Sequence, residues 1–67
     1  MPQDQIAAAM RTHAATLQRL AKRAADDVRW RREKGYPVEK REAECAALDF
    51  GVVALREWAS QRERRTA

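Results

Sequence analysis

An all-α fold, an antiparallel two-helix hairpin, is what this 67-residue chain predicts, on three observations. Two glycines and two prolines are its only punctuation, and the one Gly/Pro pair, Gly35 and Pro37, falls near the midpoint. The arms on either side are rich in Ala, Arg, Gln, Leu, Lys and Glu, which give up little side-chain freedom in a helix. Within each arm apolar residues recur at alternating steps of three and four. The expected organisation is a single domain over 1–67: a first helix over about residues 3–34, a turn at 35–37 and a second helix over about 38–64.

In the first arm Ile6, Met10, His13, Leu17, Leu20 and Ala24 form one narrow stripe, flanked every seventh residue by Ala7, Ala14, Ala21 and Val28. Arg11, Gln18, Arg19, Lys22, Asp26 and Arg29 lie away from it. Lys22 with Asp26, Arg23 with Asp27 and Asp27 with Arg31 are spaced for pairing across one helical turn. His13, on the stripe, is expected to be a neutral, hydrogen-bonded interior residue. At about 1.5 Å per residue the arm would be roughly 45 Å long.

The turn follows from helix-end chemistry. Gly35 comes after the basic last turn Arg31, Arg32 and Lys34, as expected of a left-handed glycine behind cations that favour the negative helix end. Pro37 suits the first turn of the second helix, with Glu39, Glu42 and Glu44 near its positive end. So short a connection makes the arms antiparallel neighbours.

The second arm carries more information. Projected at about 100° per residue, Cys45, Leu48, Val52, Leu55 and Ala59 form one stripe, and Ala43, Ala47, Phe50, Gly51, Ala54 and Trp58 fill the adjoining sector. Only the sector around Glu42, Asp49, Arg56 and Glu57 is clearly polar. The apolar arc exceeds half the circumference, whereas one partner helix needs a stripe of only about 100°. A second surface is therefore expected on Ala47, Phe50, Gly51, Ala54 and Trp58. Gly51, which costs a helix about 0.5–1 kcal/mol relative to Ala, predicts a close approach by another backbone, here assigned to a second chain. A two-fold four-helix bundle is the simplest closed homo-oligomer, with higher rings as the alternative.

Size points the same way. Alanine supplies 14 of the 30 apolar residues, so a lone hairpin has a thin core, and chains below about 70–80 residues rarely gain more than about 3–5 kcal/mol from one. Cys45 is the single cysteine and His13 the single histidine, which excludes an intrachain disulfide and a four-ligand structural zinc site. Association is the remaining way to add stability. MPQDQIAAAM has neither the basic n-region nor the apolar run of a signal peptide, and no stretch is apolar enough to span a bilayer. A cytoplasmic protein without membrane attachment is expected. Enzyme chemistry is not: Asp26 and Asp27 point about 100° apart, Cys45 reads as a small buried apolar residue, and no phosphate loop, nucleophile motif or cofactor signature is present.

The net charge of +4 concentrates interest on RWRREKGYPVEKRE, residues 29–42, where six cations surround Trp30 and Tyr36. Arg29, Trp30, Arg32, Tyr36 and Lys40 are the candidates for binding an anion or nucleotide, by ion pairing and ring stacking. Against that use, Glu33, Glu39, Glu42 and Glu44 sit among the cations, and mixed charge of this kind is what a solvated helix end carries. This second interpretation outweighs the first. The basic tail QRERRTA would lie roughly 40 Å from the turn in an antiparallel hairpin, so the two regions form no continuous patch within one chain.

VRWRREKGYP and, after Val38, EKREAECAALDFGVVALREWA, together spanning residues 28–59, resemble the small helical-hairpin proteins of tailed bacteriophages and prophages. The resemblance implies action by binding. Such proteins block a host enzyme or defence complex, and some oligomeric hairpins sequester cyclic-nucleotide signals. The expectation is a non-enzymatic, self-associating hairpin that acts as a stoichiometric inhibitor of an acidic host partner. The alternative is a nucleic-acid or cyclic-nucleotide binder that uses the basic turn.

Overall fold

The structure, a computed structural model, describes residues 4–66, and these form two antiparallel α-helices: α1 over Gln5–Lys34 and α2 over Glu39–Thr66. Together they make a rod whose Cα extents are 53 × 13 × 11 Å.

Asp4 starts α1. Its backbone is extended (φ −70°, ψ 105°), and its carboxylate accepts hydrogen bonds from the amides of Ile6 and Ala7 at 3.0 and 3.2 Å, as an N-cap does. The sequence expectation set the helix start at residue 3, outside the described residues. At the other end Gly35 has φ 80°, its N–H donates to the Arg32 carbonyl at 3.3 Å, and that of Tyr36 donates to Arg31 at 2.8 Å. This is a Schellman stop, which satisfies two end carbonyls and needs a left-handed residue. The predicted role of Gly35 is therefore present, whereas Pro37 is displaced. It lies in the connection and not in the first turn of α2, which begins at Glu39 with the Glu42 N–H donating to Val38 at 2.8 Å. Proline disfavours helical geometry at the residue before it, and the chain reverses direction through residues 35–38, between the two helices. At the far end α2 continues to Thr66, two residues beyond the expected boundary.

The core is a seam of small residues. Ala7, Ala14, Ala21, Ala24 and Val28 of α1 and Val52 and Ala59 of α2 are the buried apolar residues. Heptad spacing organises both sides. On α1, Ala7/14/21 and Val28, together with Met10, Leu17, Ala24 and Arg31, are all buried or half-buried. The same holds on α2 for Val38, Cys45, Val52 and Ala59 with Arg41, Leu48, Leu55 and Arg62. A strict seven-residue repeat keeps such a seam facing its partner along the rod.

This corrects the expected stripe of α1. The alanines and Val28 read as flanking residues are the centre of the contact, while Ile6 and Leu20 are 54% and 41% exposed and His13 is exposed too. His13 is thus a solvated side chain. The physical reason is steric: helices meeting over methyl groups approach closely, and the bulkier residues one position earlier are left on the flank. The predicted ion pairs sort likewise. Asp27 accepts from Arg31 at 2.8 Å and, across the seam, from Arg41 at 3.1 Å, while Lys22–Asp26 and Arg23–Asp27 are not among the ion pairs of the described residues.

Candidate assembly face and basic turn

One flank of the hairpin is zipped by polar pairs. Arg11 reaches Glu63 through Nε at 3.3 Å and Ser60 at 3.1 Å; Arg56 donates to Gln18 at 2.6 Å; Arg32 donates to Glu42 at 2.7 Å. The partners advance by heptads on α1 as they retreat by heptads on α2, as equivalent edge positions do along an antiparallel pair. The hydrogen bond from Arg11 holds the Glu63 carboxyl below its ordinary pKa, and the Arg11 guanidinium rises correspondingly. Between Gln18 and Arg32 the repeat places Ala25 opposite Asp49. There the ladder lacks a rung and opens into a shallow groove of about 530 Å³ lined by Ala21, Ala25, Cys45 and Asp49. Cys45 is half-buried at this groove, less hidden than predicted, with Sγ 3.6 Å from the Ala21 carbonyl and 4.0 Å from Asp49 Oδ2.

On the opposite flank and the back of α2 apolar side chains stand open among charged ones such as Lys40 and Glu57. Phe50 is 75% exposed, Val53 63% and Trp58 57%, and Ala47 is exposed beside them. Gly51 and Ala54, the other two residues predicted for this face, are half-buried. A methyl group built on Gly51 would lie 3.0 Å from Leu17 Cδ1. The close neighbour of Gly51 is thus a side chain of α1 in the same chain, and not the backbone of a second chain that the sequence predicts. Sequence reasoning missed Val53, although its place three residues after Phe50 puts it on the same outer sector. It also missed Ile6 and Leu20 as surface residues, because it counted them as core.

At the turn three of the five candidate anion-binding residues, Trp30, Arg32 and Tyr36, already have partners within the chain. Trp30 and Tyr36 stack with centroids 5.5 Å apart at 24°, each about half exposed. Arg32 is paired with Glu42, and Arg41 with both Glu44 at 2.6 Å and Asp27. The hydrogen bond from Arg31, and after it that from Arg41, lowers the Asp27 pKa; Glu44 foremost, then Asp27, raises that of Arg41. Arg29 and Lys40 are exposed and make no ion pair with the described residues. The arrangement is a capped helix end in which Arg31, Arg32 and Arg41 are paired, while Lys34, like Arg29 and Lys40, is exposed and makes no ion pair with the described residues.

Among the described residues no three His, Cys, Asp or Glu side chains converge as metal ligands, and no helix is long and apolar enough to cross a membrane. No protein-family model, curated protein or solved structure matches the chain.

Proposed function

We propose that this chain is a non-enzymatic binding protein that works as a self-associated helical hairpin, with the outer face of α2 around Ala47, Phe50, Ala54 and Trp58 as its assembly surface. The observation that carries the reading is an inversion of size. The buried apolar residues are alanines and two valines, whereas Phe50, Trp58, Val53 and Ile6 are more than half exposed. Monomeric proteins rarely leave apolar patches of this kind uncovered. The total area agrees. The chain exposes 5403 Å², and a compact monomer of 7.7 kDa would expose about 4,300 Å². The excess, about 1,100 Å², follows from the elongated 53 × 13 × 11 Å shape, and a second chain packed alongside would remove area of that order.

Binding and not catalysis is further supported by the shallow, open grooves, which give a reacting group no shelter from water. Once assembled, the hairpin presents Arg29 and Lys40 at its turn to an acidic partner, which in the phage-type reading is a host protein. Use of the turn as a nucleotide site is the weaker reading, since Arg31, Arg32 and Arg41 are held by carboxylates and the two aromatic rings already stack on each other.

Equilibrium sedimentation across micromolar concentrations tests the proposal. A dimer or larger closed oligomer is expected. A helical, well-folded monomer throughout would overturn it.

A further inference from the structure

The outward face of α2 is self-complementary when read in reverse. Glu39, Ala46, Phe50, Val53, Glu57 and Arg64 lie on the side of the helix away from α1, and all are exposed. Their steps are multiples of the three- and four-residue spacing that lines up one helix face. Turned end for end about a two-fold axis between residues 51 and 52, this face sets Phe50 against Val53, Ala46 against the stem of Glu57, and Glu39 against Arg64. Phe50 and Val53 are the two most exposed large apolar residues among the described residues, and they would fall at the centre. Glu39 in the acidic first turn would meet Arg64 in the basic last turn, and the helix dipoles would run in opposition.

We infer that the partner on this face is a second copy of the chain, docked through an antiparallel α2–α2 contact with Phe50 and Val53 across the dyad and a Glu39–Arg64 ion pair at each end. The inference rests on the self-association proposed above, keeps Phe50 at its centre, shifts the seam from the Ala54 and Trp58 side towards Val53 and Ala46, and adds register and direction. Two alternatives fit less well. A parallel pairing stacks Glu39 on Glu39 and Arg64 on Arg64. The neighbouring seam through Gly51 and Trp58, reversed about its own centre, sets Lys40 against Arg65, and its glycine is already occupied by Leu17. The symmetric contact is isologous and closes on itself, as a soluble dimer requires.

Cysteine pairing reads out the register. The sole native thiol is removed by Cys45→Ser, and Glu39→Cys or Arg64→Cys is added to separate batches of the full chain. Residues 39 and 64 of one helix are about 37 Å apart, too far for a disulfide within a chain, which needs Cα atoms within about 7 Å. Mixed under mild oxidation, the two batches should give a covalent heterodimer in large excess over either homodimer. As a second arm, Glu39→Arg and Arg64→Glu should each weaken the dimer at least several-fold, and the double swap should recover most of the loss. Circular dichroism checks that each variant keeps its helices. A sedimenting dimer in which Glu39→Cys links to itself, or in which neither combination links and the swap rescues nothing, overturns the register and direction while leaving self-association standing. A folded monomer of the unmodified chain overturns both.

Discussion

Replacing Ala14 by leucine tests the alanine seam most directly. Ala14 is fully buried in the middle of α1, so a branched four-carbon side chain would enter a contact that already encloses a methyl group. Overpacking of this kind costs about 1–3 kcal/mol, while leucine and alanine are both strong helix formers, so local propensity contributes little. In a domain of this size each kcal/mol moves the melting temperature by about 4–8 °C, which gives an expected drop of roughly 4–24 °C. Ala9→Leu is the control. It makes the same substitution in the same helix at an exposed position, where surface changes usually stay within about 0.5 kcal/mol. Thermal unfolding followed by circular dichroism, with all chains at one concentration because association shifts the midpoint, separates the two. If Ala14→Leu melts at or above the parent while Ala9→Leu is unchanged, the helices do not meet over their alanines, and the stripe through Ile6 and Leu20 is the true contact.

The missing rung predicts that Ala25→Arg, facing Asp49, stabilises the hairpin by about 0.2–1 kcal/mol and loses that gain in high salt; Ala25→Glu should destabilise, and an unchanged melt for both variants would place Ala25 and Asp49 out of register. Asp4, Asp27 and Glu63 all titrate below their ordinary values, Asp4 first through the Ala7 amide and then Arg62, Asp27 through Arg31, and Glu63 through Arg11. Their contribution is complete above the unfolded carboxylate pKa values and disappears as pH falls through the lowered folded ones, so stability should be flat near neutrality and decline below about pH 4. A melting temperature rising between pH 5 and pH 3 contradicts this sign. Asp4→Ala should cost more than Asp4→Asn, since asparagine still caps the helix while losing the ion pair to Arg62; equal losses would assign the effect to Arg62 alone. With Arg31, Arg32 and Arg41 held by carboxylates and Trp30 stacked on Tyr36, a short single-stranded oligonucleotide should show no saturable binding at 0.15 M salt, and tight, steeply salt-dependent binding would restore the nucleotide reading.

The hairpin was legible in the sequence because its determinants are local. Gly35 after a basic turn, acids at the start of α2 and the absence of breakers elsewhere each act within a few residues. The register of α1 was not, and the reason is physical. Periodicity weighted by side-chain bulk assigns the inside to Ile6, His13 and Leu20, but these helices bury the face that permits the closest approach, and that face is alanine. The heptad Ala7, Ala14, Ala21 and Val28 was visible as spacing; its rank became visible only once α2 was set beside it. Gly51 illustrates the same limit. The need for a close neighbour could be read from the residue, but Leu17, which meets that need, lies 34 positions away.

The two flanks also explain why the apolar arc of α2 survived as a prediction when some of its members moved. A hairpin of two helices can bury only one seam per helix. The residues beside that seam are either closed by polar bridges, as Arg11, Gln18 and Arg32 close one edge, or left open. On the open side Gly51 is covered by Leu17 of α1 and Ala54 is half-buried, whereas Phe50, Val53 and Trp58 are more than half exposed. Small residues therefore set how near the two helices of one chain come, and large ones are left for whatever lies outside it. In a chain whose interior is built of methyl groups, burying Phe50 and its neighbours against a partner is the largest source of apolar burial still available, so the proposed assembly would add to stability.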